Sequence, residues 1–215
     1  MKKFLQLLPL LLLLPLTAWG QLTAEQAFID APSQLFPGIR RITRMDMVDY
    51  FKSGSDRGST NRFGGLSRVL SLTPESIVVE VAESNIVEKQ IALDCMAKGD
   101  TAIIFITNIA TPAPDGAVKV YNSRWEPFAG TTFVEPTLKD WVKKGASKQQ
   151  MQEVMGSVPF AMARYSFDPQ TRLLVLTPSF TEFVPEDVMA KVKDSLCSSI
   201  SYKWNGKRFV LYQKS

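Results

Sequence analysis

Residues 66–95 read LSRVLSLTPESIVVEVAESNIVEKQIALDC, and this stretch decides the fold class. Apolar and β-branched residues alternate with polar residues over 69–72, 77–81 and 86–93, which is the pattern of half-buried strands. The segment Thr73-Pro74-Glu75-Ser76 separates the first two runs and has the composition of a turn. The stretch therefore predicts an antiparallel hairpin followed by a third strand.

The rest of the chain repeats this plan with helices added. Further strands are predicted over 101–109, 118–121, 160–167, 172–177, 200–204 and 208–212, and Asn205-Gly206 is the strongest hairpin signal. Helical spacing and capping residues predict short helices over 44–52, 138–144, 148–155 and after Pro185. We therefore predict an α+β protein with antiparallel sheet meanders and helices on one face, in two structurally related halves, residues 21–130 and 131–215.

Residues 1–20 have the layout of a secretory signal peptide. Lys2 and Lys3 precede the apolar run 4–16, and Ala18 and Gly20 supply small residues before a cleavage site after Gly20. The apolar run is about 13 residues long, against the roughly 20 that a membrane-spanning helix needs. An uncleaved anchor is the alternative. We expect an exported protein, periplasmic or extracellular, whose mature chain contains no transmembrane segment.

The composition excludes several kinds of site. The chain contains no histidine, so it cannot form a Ser-His-Asp triad, a Cys-His dyad, or a His-ligated zinc or haem site. The net charge is +4 and falls to +2 without Lys2 and Lys3 of the predicted signal peptide, and no aromatic residues are interleaved with the arginines, so we expect no nucleic-acid partner. Asp94, Asp100 and Asp115 lie in predicted turns without the spacing of an EF-hand. We predict no metal and no cofactor.

Arginines are concentrated in one part of the sequence. Residues 40–68 carry an excess of basic residues, and residues 69–102 carry an excess of acidic ones. The guanidinium fork suits phosphate, sulfate or carboxylate, so an anion-binding face for a glycan, a lipid head group or an acidic partner is one hypothesis. Its candidate residues are Arg40, Arg41, Arg44, Arg57 and Arg62. The alternative is two solvated faces whose opposite charges compensate each other.

Two further groups of residues have alternative interpretations. Large aromatic residues near predicted element ends either form a sugar- or peptide-binding surface or close a small core; they are Tyr121, Trp125, Trp141, Tyr202 and Trp204. Glu135, Asp140 and Glu153 are the acidic residues of the central helical pair, and two carboxylates could serve a glycosidase. Asp140 also fits a helix-capping position, so we assign no catalytic residue.

The two cysteines, Cys95 and Cys197, are candidates for a disulfide. Export would place them in an oxidising compartment, and a bridge would close a loop of about 100 residues, which stabilises a fold by several kcal/mol. Two unpaired thiols that pack as small hydrophobic side chains are the alternative. A catalytic thiol is disfavoured because no histidine is available to activate it.

Several segments together resemble a known family. They are the signal peptide, the Ala31-Pro32 lead-in, the helical Met45-Asp46-Met47-Val48-Asp49-Tyr50 and the closing Tyr202-Lys203-Trp204-Asn205-Gly206 hairpin. They resemble a family of secreted bacterial proteins, domain of unknown function 3256, over most of the mature chain. That resemblance implies no activity and no site residues. The helix-then-meander layout is also similar to the tandem fold of β-lactamase inhibitor protein, which is an analogy of fold alone.

These observations predict a non-enzymatic, exported binding or scaffolding protein of the bacterial cell envelope, with an envelope protein or a glycan as its partner. The alternative is a hydrolase of envelope or dietary glycans that uses paired carboxylates. A hydrolase requires a deep pocket with converging carboxylates, at least one of which has a shifted pKa. A binding module requires an exposed apolar or aromatic patch on the order of several hundred Å².

Overall fold

The computed structural model describes residues 21–55, 57–82, 85–110 and 113–215. The predicted signal peptide, residues 1–20, lies outside the described residues. In the part of the chain that is described, no helix is both long enough and apolar enough to cross a membrane.

The first half contains two helices followed by a six-stranded antiparallel meander, in which each strand pairs with the next along the chain. The helices are α1 (Ala24–Asp30) and α2 (Arg41–Lys52), with a 3-10 turn (Ser33–Leu35) between them. The strands are β1 (Ser59–Thr60), β2 (Leu66–Leu72), β3 (Ser76–Ala82), β4 (Ile86–Cys95), β5 (Thr101–Ile109) and β6 (Asp115–Asn122). The predicted hairpin is confirmed, with Leu72 opposite Ile77 in the β2–β3 pair.

The second half contains a four-stranded antiparallel sheet in the order β10-β9-β8-β7. Its elements are α3 (Lys148–Ser157), β7 (Ala163–Asp168), β8 (Leu173–Pro178), α4 (Glu186–Val192), β9 (Ile200–Trp204) and β10 (Phe209–Lys214). Short 3-10 segments cover Leu138–Trp141, Phe180–Phe183 and Lys193–Ser195. The predicted α+β class, with an antiparallel sheet in each half, is confirmed. The exact division at residue 130 stays a prediction, as does the likeness to β-lactamase inhibitor protein.

The middle of the six-stranded sheet, at β4 and β5, is buried on both faces. On one face, Phe28 of α1 and Met47 of α2 belong to a core that includes Ile77, Ile91 and Ile103 of the sheet. Successive side chains of a strand point to opposite faces, so the neighbouring residues Ala92, Ala102 and Ile104 belong to a second core, which the four-stranded sheet, α3 and α4 complete. Helices therefore cover one face of this sheet, and the second half of the chain covers the other.

Two amide side chains join the halves. The side chain of Gln90 on β4 donates to the carbonyl oxygen of Phe167 (2.7 Å) and accepts from the amide of the same residue (3.0 Å). Asn108 on β5 makes the same pair of bonds with Tyr165, at 2.9 and 2.8 Å. Both amides are buried. The edge of β7 that faces away from β8 is thus hydrogen-bonded to side chains that project from the first sheet.

Helix termini agree with the sequence in most places. Thr137 and Ser147 are N-caps as predicted, and each forms a capping box, with Asp140 and Gln150 respectively. Thr43 and Asp46, which have capping-box spacing, do not begin a helix, because α2 already begins at Arg41. Residues 21–42 contain two prolines and no sustained period, which favours an extended segment, yet they include α1, whose N-cap Thr23 accepts from the amide of Gln26 at 3.2 Å. The expectation was wrong because helix α1 is short and is stabilised by packing rather than by a long periodic pattern.

Candidate functional site

A groove lies at the junction of the two halves, and we call it the turn groove. Its walls are the β4–β5 turn (residues 96–100), the β9–β10 turn (residues 206–208) and the segment 128–131, and its volume is about 510 Å³. Binding sites for small molecules and peptides are typically concave, mostly apolar, and contain a few placed polar groups. The turn groove is therefore the first candidate for a binding site.

The two turns are fixed against each other by their backbones. The amide of Ala97 donates to the carbonyl oxygen of Gly206 at 3.0 Å. A Cβ atom at position 206 would lie 2.7 Å from the Ala97 nitrogen, and the φ angle there is +89°, so the close contact and the conformation both require glycine. The Asn205 side-chain oxygen accepts from the amides of Lys207 (3.0 Å) and Arg208 (2.9 Å), which fixes the turn that carries both cations.

Polar contacts behind the groove hold the same two turns. The indole nitrogen of Trp204 donates to the carbonyl oxygen of Cys95 at 3.1 Å. Arg172 pairs with Asp94 at 2.9 Å, and the Asp94 side chain is only 6% exposed. Its hydrogen bond to Asp94 raises the pKa of Arg172, with burial acting in the opposite direction. The groove therefore has walls that are in place before any ligand binds.

The third wall is anchored to both sheets. Phe128 donates its amide to the carbonyl oxygen of Val120 on β6 at 3.0 Å, and its ring contacts the Trp204 ring edge-on, with centroids 6.2 Å apart. The carbonyl oxygen of Thr132 accepts from the amide of Phe209 at 2.8 Å. The segment 128–131 is thus tied to β6 at one end and to β10 at the other.

The lining of the turn groove combines apolar and cationic groups. Met96, Phe128 and small residues such as Ala129 form its apolar part, and Lys98, Lys207 and Arg208 bring three positive charges. Its one carboxylate, Asp100, accepts from the amide of Thr101 at 2.7 Å. This arrangement suits a ligand that has an anionic group next to an apolar portion.

The candidate arginines lie in different environments. Arg44 is buried, donates to the carbonyl oxygen of Ala31 at 2.7 Å and lies 5.6 Å from the centroid of the Phe36 ring. Burial lowers the pKa of Arg44, and the charge of Arg41 acts in the same direction. Arg41 itself pairs with Asp30 at 3.0 Å. The remaining three, Arg40, Arg57 and Arg62, are exposed. Two of the five candidates thus already have partners within the fold.

The aromatic candidates lie mainly in the cores. Trp141 and Trp204 are each 1% exposed and belong to the core shared by the two halves. Tyr121 is buried in the core under α1 and α2, where Trp125 packs against it with ring centroids 5.3 Å apart. Tyr202 is half-buried, and burial raises its pKa to about 12. Trp141, Trp204 and Tyr121 are thus core residues, and a binding surface that includes Trp125 or Tyr202 stays a prediction.

Both thiols are free, with Cys95 exposed at the end of β4 and Cys197 buried. The thiols are thus unpaired in this structure, and the candidate Cys95–Cys197 disulfide stays a prediction. Cys197 lies in the second core, where its amide donates to the carbonyl oxygen of Trp141 at 2.8 Å. Burial raises the pKa of the Cys197 thiol, although Lys214 and Lys143 act in the opposite direction.

A family model describes nearly the whole of the described chain. It matches residues 19–209 and represents a protein of unknown function, DUF3256. The chain belongs to this family. The expected resemblance is therefore confirmed, and it brings no activity with it.

A solved structure shows the same fold as this DUF3256 protein. It is a domain of an uncharacterized protein from Porphyromonas gingivalis, with a TM-score of 0.63 and 18% sequence identity. The match covers 87% of this chain and 96% of the other. At that identity the likeness concerns the fold alone. The sequence matches none of the curated proteins with which it was compared.

Two of the three carboxylates considered for hydrolysis, Asp140 and Glu153, are hydrogen-bonded within the fold. Asp140 accepts from the backbone and hydroxyl of Thr137 (2.9 and 2.8 Å) and pairs with Lys214 at 3.2 Å. Burial opposes ionisation of Asp140, but these bonds outweigh it and lower its pKa. Glu153 accepts from Gln149 on α3 at 3.1 Å, and Glu135 is exposed.

A second hollow, of about 280 Å³, lies beside the start of α1 and contains three more acidic residues, Glu75, Asp94 and Asp100. Both oxygens of Asp94 are engaged, one by Arg172 and the other by the amide of Cys95 at 2.6 Å. Among the described residues, no group of three or more acidic or cysteine side chains is placed to hold a metal ion.

Sequence reasoning missed the residues of the turn groove. Both of its turns were predicted, from Gly99-Asp100 and Asn205-Gly206, but nothing local indicates that they meet. The available signal was the set of cations in and beside those turns, Lys98, Lys207 and Arg208. These cations indicate a binding site only when it is known that the two turns are in contact.

Proposed function

We propose that this protein is exported and acts by binding, without catalysis, a partner that carries an anionic group beside an apolar portion. The observation that carries the proposal is the turn groove, whose lining contains Lys98, Lys207 and Arg208 together with apolar residues. Export is supported by the basic start, apolar run and small residues of segment 1–20. For an exported protein, the expected partner is a component of the cell envelope.

The electrostatics of the carboxyl groups favour binding over hydrolysis. A glycosidase of the paired-carboxylate type needs a general acid whose pKa is raised. Among the described residues, the carboxyl groups with a shifted pKa are those of Glu126, Asp140 and Asp168. In all three the pKa is lowered, which is the opposite of what a general acid needs. Asp168 shows the cause, since the hydroxyl of Thr171 donates to its carboxylate at 2.8 Å.

A pair of fluorescent probes tests binding in the groove. The anionic probe 1-anilinonaphthalene-8-sulfonate and the neutral N-phenyl-1-naphthylamine share their rings and differ in the sulfonate. We expect the anionic probe to bind the native protein more tightly, and to bind more weakly as salt is added. The Lys207→Glu/Arg208→Glu variant should weaken binding of the anionic probe at least tenfold and leave the neutral probe almost unchanged.

The control variant is Lys119→Glu/Lys144→Glu, which changes the net charge equally at two exposed positions outside the groove. If binding of the anionic probe weakens equally in both variants, the overall charge of the protein, and not the groove, attracts the probe.

Export is tested separately by expressing the full chain in a bacterium and measuring the mass of the protein in the envelope fraction. A cytoplasmic protein that retains residues 1–20 would refute that part of the proposal.

A further inference from the structure

The turn groove has an excess of positive charge. Its lining contains one carboxylate, that of Asp100, and three cations, Lys98, Lys207 and Arg208. Together these groups leave a net charge of +2. A ligand group with a single negative charge would leave part of this charge uncompensated, whereas a group with two negative charges balances it. The charge of the groove therefore favours a doubly charged anion.

The third wall of the groove carries hydrogen-bond donors that the fold does not use. Residues 129–131 line the groove and are exposed. Within the described parts of the chain, no group accepts a hydrogen bond from the amides of residues 129–131 or from the hydroxyl of Thr131. The amides of Lys207 and Arg208, by contrast, already donate to a side chain of their own turn. Backbone donors for a ligand are therefore those of residues 129–131.

Gly130 sets the conformation of this wall. Its φ angle is +90°, in the left-handed region that favours glycine. Among the described residues, chain neighbours aside, no heavy atom lies within 4 Å of the point where a Cβ atom of residue 130 would be. Successive backbone amides in a turn that contains a left-handed residue form a concave set of donors, and such sets bind anions, phosphate among them. The backbone at Gly130 is open to a ligand of this kind.

The size of the groove limits the rest of the ligand. Its apolar lining comes from Met96, Phe128 and small residues, and the Phe128 ring is held edge-on against Trp204. Its volume of about 510 Å³ lies in the range of about 300–1,000 Å³ that is typical of sites for single small molecules. The groove therefore fits a head group or a ring next to the anion, and not a long chain.

We infer that the anionic group bound in the turn groove is a phosphate monoester, held by the cations of the two turns and the amides of residues 129–131. This inference rests on the proposed function, because it specifies the anionic group of the ligand. A phosphate monoester carries nearly two negative charges at neutral pH and three acceptor oxygens, so it matches both the charge and the donors of the groove. A carboxylate or a sulfate ester carries only one charge. A phospholipid with a terminal phosphate and a sugar phosphate both supply this group.

The test compares three ligands that share a naphthalene ring: 1-naphthyl phosphate, 1-naphthyl sulfate and naphthalene-2,3-dicarboxylate. Isothermal titration calorimetry measures their affinities for the native protein. We expect the phosphate to bind about fivefold more tightly than the sulfate, which has one charge less. It should also bind more tightly than the dicarboxylate, which divides the same charge between two planar groups.

The pH dependence of binding identifies the charge state of the ligand. The second pKa of a phosphate monoester is about 6, so the affinity for naphthyl phosphate should fall about fivefold between about pH 7.5 and pH 5, and that for the sulfate should not change. The charged side chains of the lining are the three cations and Asp100. The chain contains no histidine, the side chain that ordinarily titrates in this interval.

Two pairs of variants locate the binding site. Lys207→Glu/Arg208→Glu should weaken binding of naphthyl phosphate by about thirtyfold, whereas Lys119→Glu/Lys144→Glu, outside the groove, should leave it almost unchanged. Gly130→Ala keeps every charge but disfavours the left-handed conformation, and should weaken binding about fivefold. Its matched control is Gly145→Ala, at another exposed glycine with positive φ, +100°, outside the groove; it carries the same strain and should bind normally.

The results separate this inference from the proposed function. If the sulfate or the dicarboxylate binds as tightly as the phosphate, and binding still depends on Lys207 and Arg208, the inference is refuted and the proposed function stands. If Gly130→Ala and Gly145→Ala bind the phosphate equally well, the amides of residues 129–131 do not hold it and the inference is again refuted. If none of the three ligands and no sulfonate probe binds, both proposals fail.

Two further ligands distinguish the sources of the phosphate. Phosphatidylcholine vesicles that contain phosphatidic acid present the monoester on a lipid, and glucose 1-phosphate presents it on a sugar. Binding of the vesicles alone supports a lipid head group, and binding of glucose 1-phosphate alone supports a sugar phosphate. Vesicles with phosphatidylglycerol, whose phosphate is a diester with one charge, are the control; equal binding to them would contradict the requirement for a monoester.

Discussion

Replacing the amide side chain of Gln90 or Asn108 with an apolar side chain of similar size should weaken the contact between the two halves and lower the free energy of unfolding. In Gln90→Met, the amide and carbonyl of Phe167 lose their partners; in Asn108→Leu, those of Tyr165 do. Both sites are buried. The similar volume limits the cavity, so the effect measured is mainly that of unsatisfied backbone groups.

The magnitude follows from the number of groups left unpaired. Each buried backbone group without a partner costs about 1–3 kcal/mol, and each variant creates two of them. Relaxation and entry of water reduce the total, so we expect each substitution to lower the free energy of unfolding by about 2–5 kcal/mol, which is a large part of the roughly 5–15 kcal/mol typical of a domain.

Urea unfolding measures the loss, and hydrogen exchange locates it. In Asn108→Leu the amide of Tyr165 should exchange much faster, while that of Phe167 keeps more of its protection; Gln90→Met should show the reverse. Gln149→Met on the exposed side of α3 is the matched control and should change stability by less than about 0.5 kcal/mol. If all three variants lower the free energy of unfolding by the same small amount, the idea that these amides hold the β7 edge is refuted.

Three further outcomes are expected. Under native conditions a thiol reagent should modify Cys95 and leave Cys197 unmodified until the protein unfolds, as measured by mass; protection of both thiols until reductant is added would instead indicate a bridge. The pKa of Tyr202 is raised to about 12 in the folded state against about 10 in an unfolded chain, so its contribution to stability is complete below about pH 10 and is lost as the pH rises towards 12. Tyr202→Phe should therefore make unfolding less dependent on pH in this interval, and an unchanged slope would contradict the assignment. Ser147→Ala removes the N-cap of α3 and should cost about 1 kcal/mol in urea unfolding, whereas Ser166→Ala on an exposed strand position should cost less.

Much of the fold could be predicted because its signals are local. The alternation in residues 66–82 arises because β2 and β3 bury one face under α1 and α2, with Val69, Ile77, Val79 and Val81 in that core, while alternate residues are more exposed. The capping boxes at Thr137 and Ser147 are recognisable from residues three positions apart. The Asn205-Gly206 turn joins strands whose pairing it fixes, with Trp204 opposite Phe209.

α1 was missed although its signal is present. Thr23 and Gln26 have the spacing of a capping box, and Ala24, Ala27 and Phe28 lie on one helical face. The helix has only seven residues, which is too few for a periodic pattern to be distinctive. Its stability comes from burial of Phe28, whose ring contacts Phe36 at 5.1 Å between centroids.

The turn groove and the amide contacts could not be predicted, and the reason is the same for both. Gln90 bonds to a residue 77 positions away, and Trp204 bonds to one 109 positions away. The sequence presents Gln90 and Asn108 merely as polar residues within apolar strands, although burial of such residues is costly unless a partner is present. The same junction that satisfies these amides also brings the two turns together through Ala97 and Gly206. A variant that loosens the amide contacts should therefore also weaken probe binding in the groove, even though neither amide lines it, because the position of one groove wall depends on how the second half is seated on the first.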